Sequence, residues 1–154
     1  MRGARDLPPA PPRTAHREPR TVSSSVTVRA TVLWSDMDLY GHVNNAVFFR
    51  WFELARMEFL DRCGFLASYE KDKLGVILHS TSCRFRAPVF HPDTIEIETA
   101  VSEVADDRFT MTYVARSTAQ NTVVGEGSAI VVSYDYKANK KVPIPAPIRA
   151  RLIP

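Results

Sequence analysis

The rhythm of hydrophobic and polar positions changes along this chain, and each change marks an element. Residues 1–25 hold almost no large apolar side chains and are broken by Pro8, Pro9, Pro11, Pro12 and Pro19. That composition reads as a disordered tail ahead of a folded unit over residues 26–154. From Val26 to Trp34, β-branched and apolar residues roughly alternate with polar ones, which predicts a strand. From about Asn45 to Cys63 the period lengthens. Phe48, Phe52, Ala55 and Phe59 form one helical stripe. Val47, Trp51 and Leu54 widen it, so the helix is expected to be buried on more than one side. Glu58 and Arg62 make a favourable i,i+4 pair, and Gly64 supplies a C-terminal stop.

The rest of the chain reads as sheet. Gly75 to Arg86 is one strand, stopped by Pro88 and Pro92. Asp93 to Glu103 alternates, with Ile95, Ile97, Thr99 and Val101 on one face and Glu96 and Glu98 on the other. Asp106 and Asp107 mark a turn. Arg108 to Ser117 alternates again, Gln120 and Asn121 turn the chain, and Thr122 to Tyr134 is a last long strand. Pro143, Pro145 and Pro147 cannot sit inside a sheet, and their segment is expected to pack as an irregular edge. The order predicts an α+β fold: an antiparallel sheet of about five strands, connected as a meander and wrapped around one long central helix. One helix and one sheet leave an edge strand and some apolar surface uncovered, which predicts self-association.

Composition adds limits. The 154 residues suffice for one domain with a real core. No apolar run reaches the roughly 18 residues of a membrane span. The net charge of +3 is misleading, because five of the 20 basic and two of the 17 acidic residues lie in residues 1–25. The remainder carries 15 of each, so the folded part offers no basic field for nucleic acid. Cys63 and Cys83 have neither disulfide-framework nor zinc spacing, and a reducing cytoplasm suits them.

The densest chemistry lies between the first strand and the helix, in Asp36-Met37-Asp38-Leu39-Tyr40-Gly41-His42-Val43-Asn44-Asn45. Asp38 to Gly41 fits a β-turn, with Asp favoured first and Gly fourth. Asn44 and Asn45 are favoured helix caps. The turn would fold Asp38 back towards the helix start, where backbone N–H groups from about Asn45 to Val47 lack intrahelical acceptors. A carboxylate beside such donors can drive attack on a carbonyl while its oxyanion is held. Phe48, Trp51 and Phe52 would form an apolar wall there, with Trp51 or Phe52 lining any tunnel beside the carbonyl site; the alternative route runs along strand faces carrying Ile77 and Phe85. Asp36 reads as a residue that orients the turn. Glu53 reads as a partner for Arg56, three residues on. A nucleophilic Cys83–His79 pair lacks a third orienting group.

This order of elements resembles the hotdog-fold thioesterases, specifically the 4-hydroxybenzoyl-CoA thioesterase-like acyl-CoA thioesterases. The resemblance runs from about Val26 to Ile144. Asp36-x-Asp38-x-x-Gly41-His42-Val43-Asn44-Asn45 carries it, with Glu53-x-x-Arg56 and Phe85-Arg86-Ala87-Pro88-Val89 in support. It implies hydrolysis of acyl-CoA thioesters without metal or redox cofactor. Asp38 is the implied base or nucleophile, with Gly41, His42 and Asn45 completing the catalytic group; in another branch a helix-borne acid takes that role, here Glu53. The expected substrate contacts are Asn44, Phe48, Trp51 and Phe52, with Arg84 and Arg86 for the phosphates of coenzyme A. Lys137, Lys140 and Lys141 are further phosphate candidates. The implied assembly is a dimer or tetramer. An acyl-carrier-protein thioesterase and a non-catalytic acyl-CoA-binding module are the competing readings. The presence of Asp38 favours an enzyme.

Overall fold

A computed structural model describes residues 25–152. Residues 1–24 lie outside this range, and with them the expected tail; Ser25 opens the first strand. The strands are β1 (Ser25–Thr31), β2 (Leu74–Phe85), β3 (Thr94–Val104), β4 (Arg108–Ser117), β5 (Thr122–Asp135) and β6 (Lys140–Lys141). The helices are α1 (Asn45–Cys63), α2 (Phe65–Asp72) and α3 (Ala146–Leu152). One antiparallel sheet runs β1-β3-β4-β5-β2, with β6 paired to β5. This is the expected α+β arrangement of a curled sheet with a helix. The connection is not a simple meander, however. β3, β4 and β5 follow one another, while β2 crosses over to pair with β5.

α1 lies against the sheet through Phe48, Trp51, Phe52, Ala55, Phe59 and Cys63, all buried. Its close approach is made possible by two glycines. A Cβ on Gly127 would meet the Phe52 ring within 2.4 Å, and one on Gly125 would meet Phe48 within 2.8 Å. Side chains there would push the helix off the sheet. Phe52 stacks on Tyr113 of β4 at 4.7 Å between ring centroids, and Arg56 donates to the Tyr113 hydroxyl at 3.1 Å. Arg56 is therefore aimed at the sheet, not committed to Glu53 as its spacing predicted. Leu54, expected in the apolar stripe, is exposed. The Glu58–Arg62 pair forms as expected, at 2.8 Å.

Several boundaries differ from the sequence reading for physical reasons. β1 ends at Thr31, and Trp34–Asp36 coils into one 3₁₀ turn because the Asp36 carboxylate accepts the Leu33 N–H. Gly64, at φ 101°, ends α1, but it also opens α2, a two-turn helix that buries only Phe65. So little burial leaves a weak period in the sequence. The proline segment continues into α3. Pro147 falls in the first helical turn, where no N–H is needed, and Ile148 and Leu152 bury one face. The alternation of β3 holds for the buried Ile95, Ile97 and Thr99, and breaks at an irregularity between Val101 and Glu103. Among the described residues no helix is long and apolar enough to cross a membrane.

Candidate active site

The segment from Leu33 to Asn44 closes on itself. Gly41 N–H donates to the Asp38 carbonyl at 3.0 Å, completing the expected turn, and Tyr40 N–H donates to Asp38 Oδ1 at 2.9 Å. Gly41 sits at φ 81°, with open space around its Cβ position. Its requirement is therefore conformational, since side chains rarely adopt that region. Asp38 N–H bonds the His42 carbonyl at 3.0 Å, and Met37 bridges Val43. The tip of the turn, Leu39 and Tyr40, is 97% and 83% exposed.

Asn44 joins this turn to α1. Its Oδ1 accepts the Ala46 N–H at 2.9 Å, and its Nδ2 donates to Asp38 Oδ2 at 3.3 Å. One amide thus caps the helix and holds the carboxylate beside the helix start. The Val47 N–H bonds the Asn44 carbonyl at 3.0 Å. Ala46 and Val47 are thereby removed from the donors expected to polarise a carbonyl. Asn45, first in the helix, keeps an N–H with no acceptor among the described residues. His42 is half-buried, with Nδ1 3.3 Å from the Val43 carbonyl, a bond that requires the Nδ1–H form.

A cavity of about 410 Å³ opens at this point. His42, Val43, Asn45 and Phe48 line one side, and Phe85 to Val89 line the other. Val43 N–H donates to the Val89 carbonyl at 2.8 Å, tying the two sides together. Phe48 meets Phe85 edge-on at 5.1 Å. Trp51 and Phe52, expected to line the acyl tunnel, are instead core residues, 5% and 0% exposed. They lie deeper, Trp51 against Phe48 at 4.9 Å. The aromatic lining comes from Phe48 and Phe85, along one of the strand faces weighed as the alternative.

The basic candidates separate. Arg86 borders the cavity and pairs with Glu126 at 2.7 Å. Arg84 precedes Phe85 in β2, so it faces away from Phe48 and borders a separate hollow with Ser82 and Ser128. Lys137, Lys140 and Lys141 belong to the far end of β5, where Asp135 pairs with Leu74, whereas Phe85 pairs with Gly125. They are remote from Asp38. Cys83 is half-buried, and burial pushes its thiol up to about 11. A register irregularity between Leu78 and Ser80 falls at His79, so strand alternation does not hold His79 on the same face as Cys83. Arg50 was not singled out by its sequence context, yet it pairs with the buried Asp36 at 2.7 Å. The alternating Gly125 and Gly127 were the readable sign of close helix approach.

Comparison with known proteins agrees with this geometry. The profile of the Thioesterase-like superfamily matches residues 32–152. A protein of Aquifex aeolicus named "Putative esterase" is 30% identical over 113 residues, covering 68% of this chain and 88% of that one. A solved structure from Jannaschia sp., titled as thioesterase superfamily, superposes with a TM-score of 0.76 at 26% identity, covering 82% of this chain and 80% of that one. An Asp→Asn variant of 4-hydroxybenzoyl-CoA thioesterase, complexed with 4-hydroxybenzoyl-CoA, shares the fold at a TM-score of 0.75 and 19% identity, over 84% of this chain and 99% of that one. With a helix held in a curled sheet and a carboxylate turn at its start, the chain belongs to the thioesterase-like superfamily and is a thioester hydrolase of the hotdog fold.

Proposed function

We propose that the thioester is an acyl-CoA and that Asp38 attacks it, as base for water or as nucleophile. The observation that carries this reading is the pair of hydrogen bonds made by the Asn44 side chain, which holds the Asp38 carboxylate at the point where α1 begins. The Asn45 N–H faces the charge that develops on the carbonyl oxygen, a contact worth roughly 3–4 kcal/mol in known oxyanion holes. As base, Asp38 takes a proton from water while the new C–O bond forms, and gives that proton to the thiolate as the C–S bond breaks. As nucleophile, its carboxylate displaces the thiolate to form a mixed anhydride, which water then cleaves to the free acid. Phe48 and Phe85 receive the acyl group, His42 and Gly41 shape the turn around the carbonyl, and Arg86, which borders the cavity, offers its guanidinium to a phosphate of coenzyme A.

The working unit is proposed to be at least a dimer. β2 is a sheet edge, and its Ile77, Leu78 and Phe85 are each about two-fifths exposed, at 41%, 42% and 40%. A long edge with apolar side chains favours pairing with another copy. Sedimentation at micromolar concentration is expected to show a dimer or larger; a stable, active monomer would contradict it.

The substrate test is a hydrolysis screen over acyl-CoAs of graded length and aromatic acyl-CoAs, with free thiol as readout and an acyl-carrier-protein thioester included. Turnover of at least one acyl-CoA is expected. Turnover of the carrier-protein thioester alone would overturn the choice of coenzyme A.

A further inference from the structure

We infer that Arg50, acting through the buried Asp36, is a positioning residue for the Asp38 turn; the inference rests on Asp38 being the catalytic carboxylate. Asp36 is 6% exposed, yet it gathers three bonds that close the segment. Its Oδ2 accepts the Leu33 N–H at 2.9 Å, and its carbonyl accepts the Asn44 N–H at 2.9 Å. Both ends of the segment therefore converge on one residue. Its Oδ1 accepts Arg50 Nη2 at 2.7 Å.

Arg50 stands in the second turn of α1, with its side chain 66% exposed. The guanidinium reaches back from the helix to the loop that precedes it. It thereby adds a second tie between loop and helix, and Asn44 provides the first. The two ties meet, because Asn44 is bonded to Asp36 through its backbone and to Asp38 through its side chain. The route from Arg50 to Asp38 thus consists of hydrogen bonds between adjacent groups. Removing the guanidinium leaves a buried carboxylate without its counter-charge, a strongly disfavoured state. The loop would relax to bring Asp36 to water, carrying Asn44 and Asp38 with it. A small displacement of a reacting group costs up to about a hundredfold in rate.

Relaxation of the loop, which returns Asp36 to water, limits the cost to the fold as a whole, and Arg50 itself is largely solvated, so Arg50 variants should fold. Arg50→Met is expected to lower kcat by roughly tenfold or more with KM little changed. Arg50→Lys, which keeps the charge but not the planar fork, should recover a large part of that loss. The deciding measurement is a double-variant cycle with Asp38→Asn. If Arg50 acts through Asp38, Arg50→Met should remove nothing further from the residual rate of Asp38→Asn. An equal loss in both backgrounds would overturn the inference, as would a rise in KM alone, which would make Arg50 a substrate contact. Failure of both Arg50 variants to fold would also overturn it, since the pair would then serve the whole fold. Near-normal turnover by Asp38→Asn alone would instead refute the catalytic assignment of Asp38, and the same set of proteins reports it separately.

Discussion

The two ends of α1 are finished in opposite ways. At the C-terminal end the polar and backbone devices close the helix, although an apolar cavity of about 330 Å³ lined by Met57, Leu60 and Phe65 lies beside it. Gly64 turns left-handed and its N–H returns to Leu60 and Asp61, while Arg151 donates to the Cys63 carbonyl at 3.2 Å. Phe65, Ile148 and Leu152 are buried around it, and burial pushes the Cys63 thiol up to about 11. The N-terminal end is capped by Asn44 but left accessible. Asn44, Asn45 and Ala46 are exposed, a cavity of about 410 Å³ adjoins them, and a carboxylate is bonded to the cap. Helix N-termini carry donors and positive potential that suit an anionic reaction centre. The difference teaches that polar groups at the closed end complete the fold, while those at the open end remain available to a substrate.

The comparison breaks most visibly if the closed end is not simply structural. Phe59→Ala removes a ring that is 2% exposed and should cost about 3–5 kcal/mol by cavity formation. Urea denaturation measures this, and kcat of the folded fraction should stay near wild type. Loss of turnover in folded protein would show that the two ends are not separable.

At the open end, Asn44 performs two tasks that substitution can divide. Asn44→Ala loses the cap and should cost about 1 kcal/mol of stability, with a drop in kcat. Asn44→Asp keeps a good cap and suits the helix dipole, but it replaces the amide donor to Asp38 with a second carboxylate. Its melting temperature should remain near wild type while kcat falls roughly tenfold. Wild-type turnover in Asn44→Asp beside a loss in Asn44→Ala would mean that capping is the whole role of Asn44.

The smallest expected effect concerns the cavity wall. Phe85 is 40% exposed and touches Phe48 edge-on. Phe85→Ala should cost less stability than Phe59→Ala, because less of it is buried, and should shift the preferred acyl group by a few-fold in kcat/KM. An unchanged substrate profile across the acyl-CoA panel would place the acyl group elsewhere.

Much of this was legible in the sequence, because strong periods and strong caps are local. Asn45 and Cys63 as the limits of α1, the Gly64 stop and the Asp38–Gly41 turn are written in side-chain chemistry and short spacings. Other features depend on partners distant in sequence. The pairing of β2 with β5 is set by how the sheet closes on α1, and no local pattern reports it. Trp51 reads like Phe48 along the helix, but only the sheet decides which ring reaches the cavity. Ala46 and Val47 qualify as free donors by position, and both are taken by Asn44. Arg50 reads as an ordinary charged helix residue until the loop fold brings Asp36 to it.

The central claim, that thioester cleavage depends on the carboxylate held at the start of α1, is tested most directly by the turnover of Asp38→Asn. The measurement is release of free thiol from the best acyl-CoA substrate, with folding checked by circular dichroism. The account predicts a folded protein with kcat at least roughly a hundredfold below wild type. A folded Asp38→Asn variant with near-normal turnover would contradict it and direct attention to Glu53→Gln.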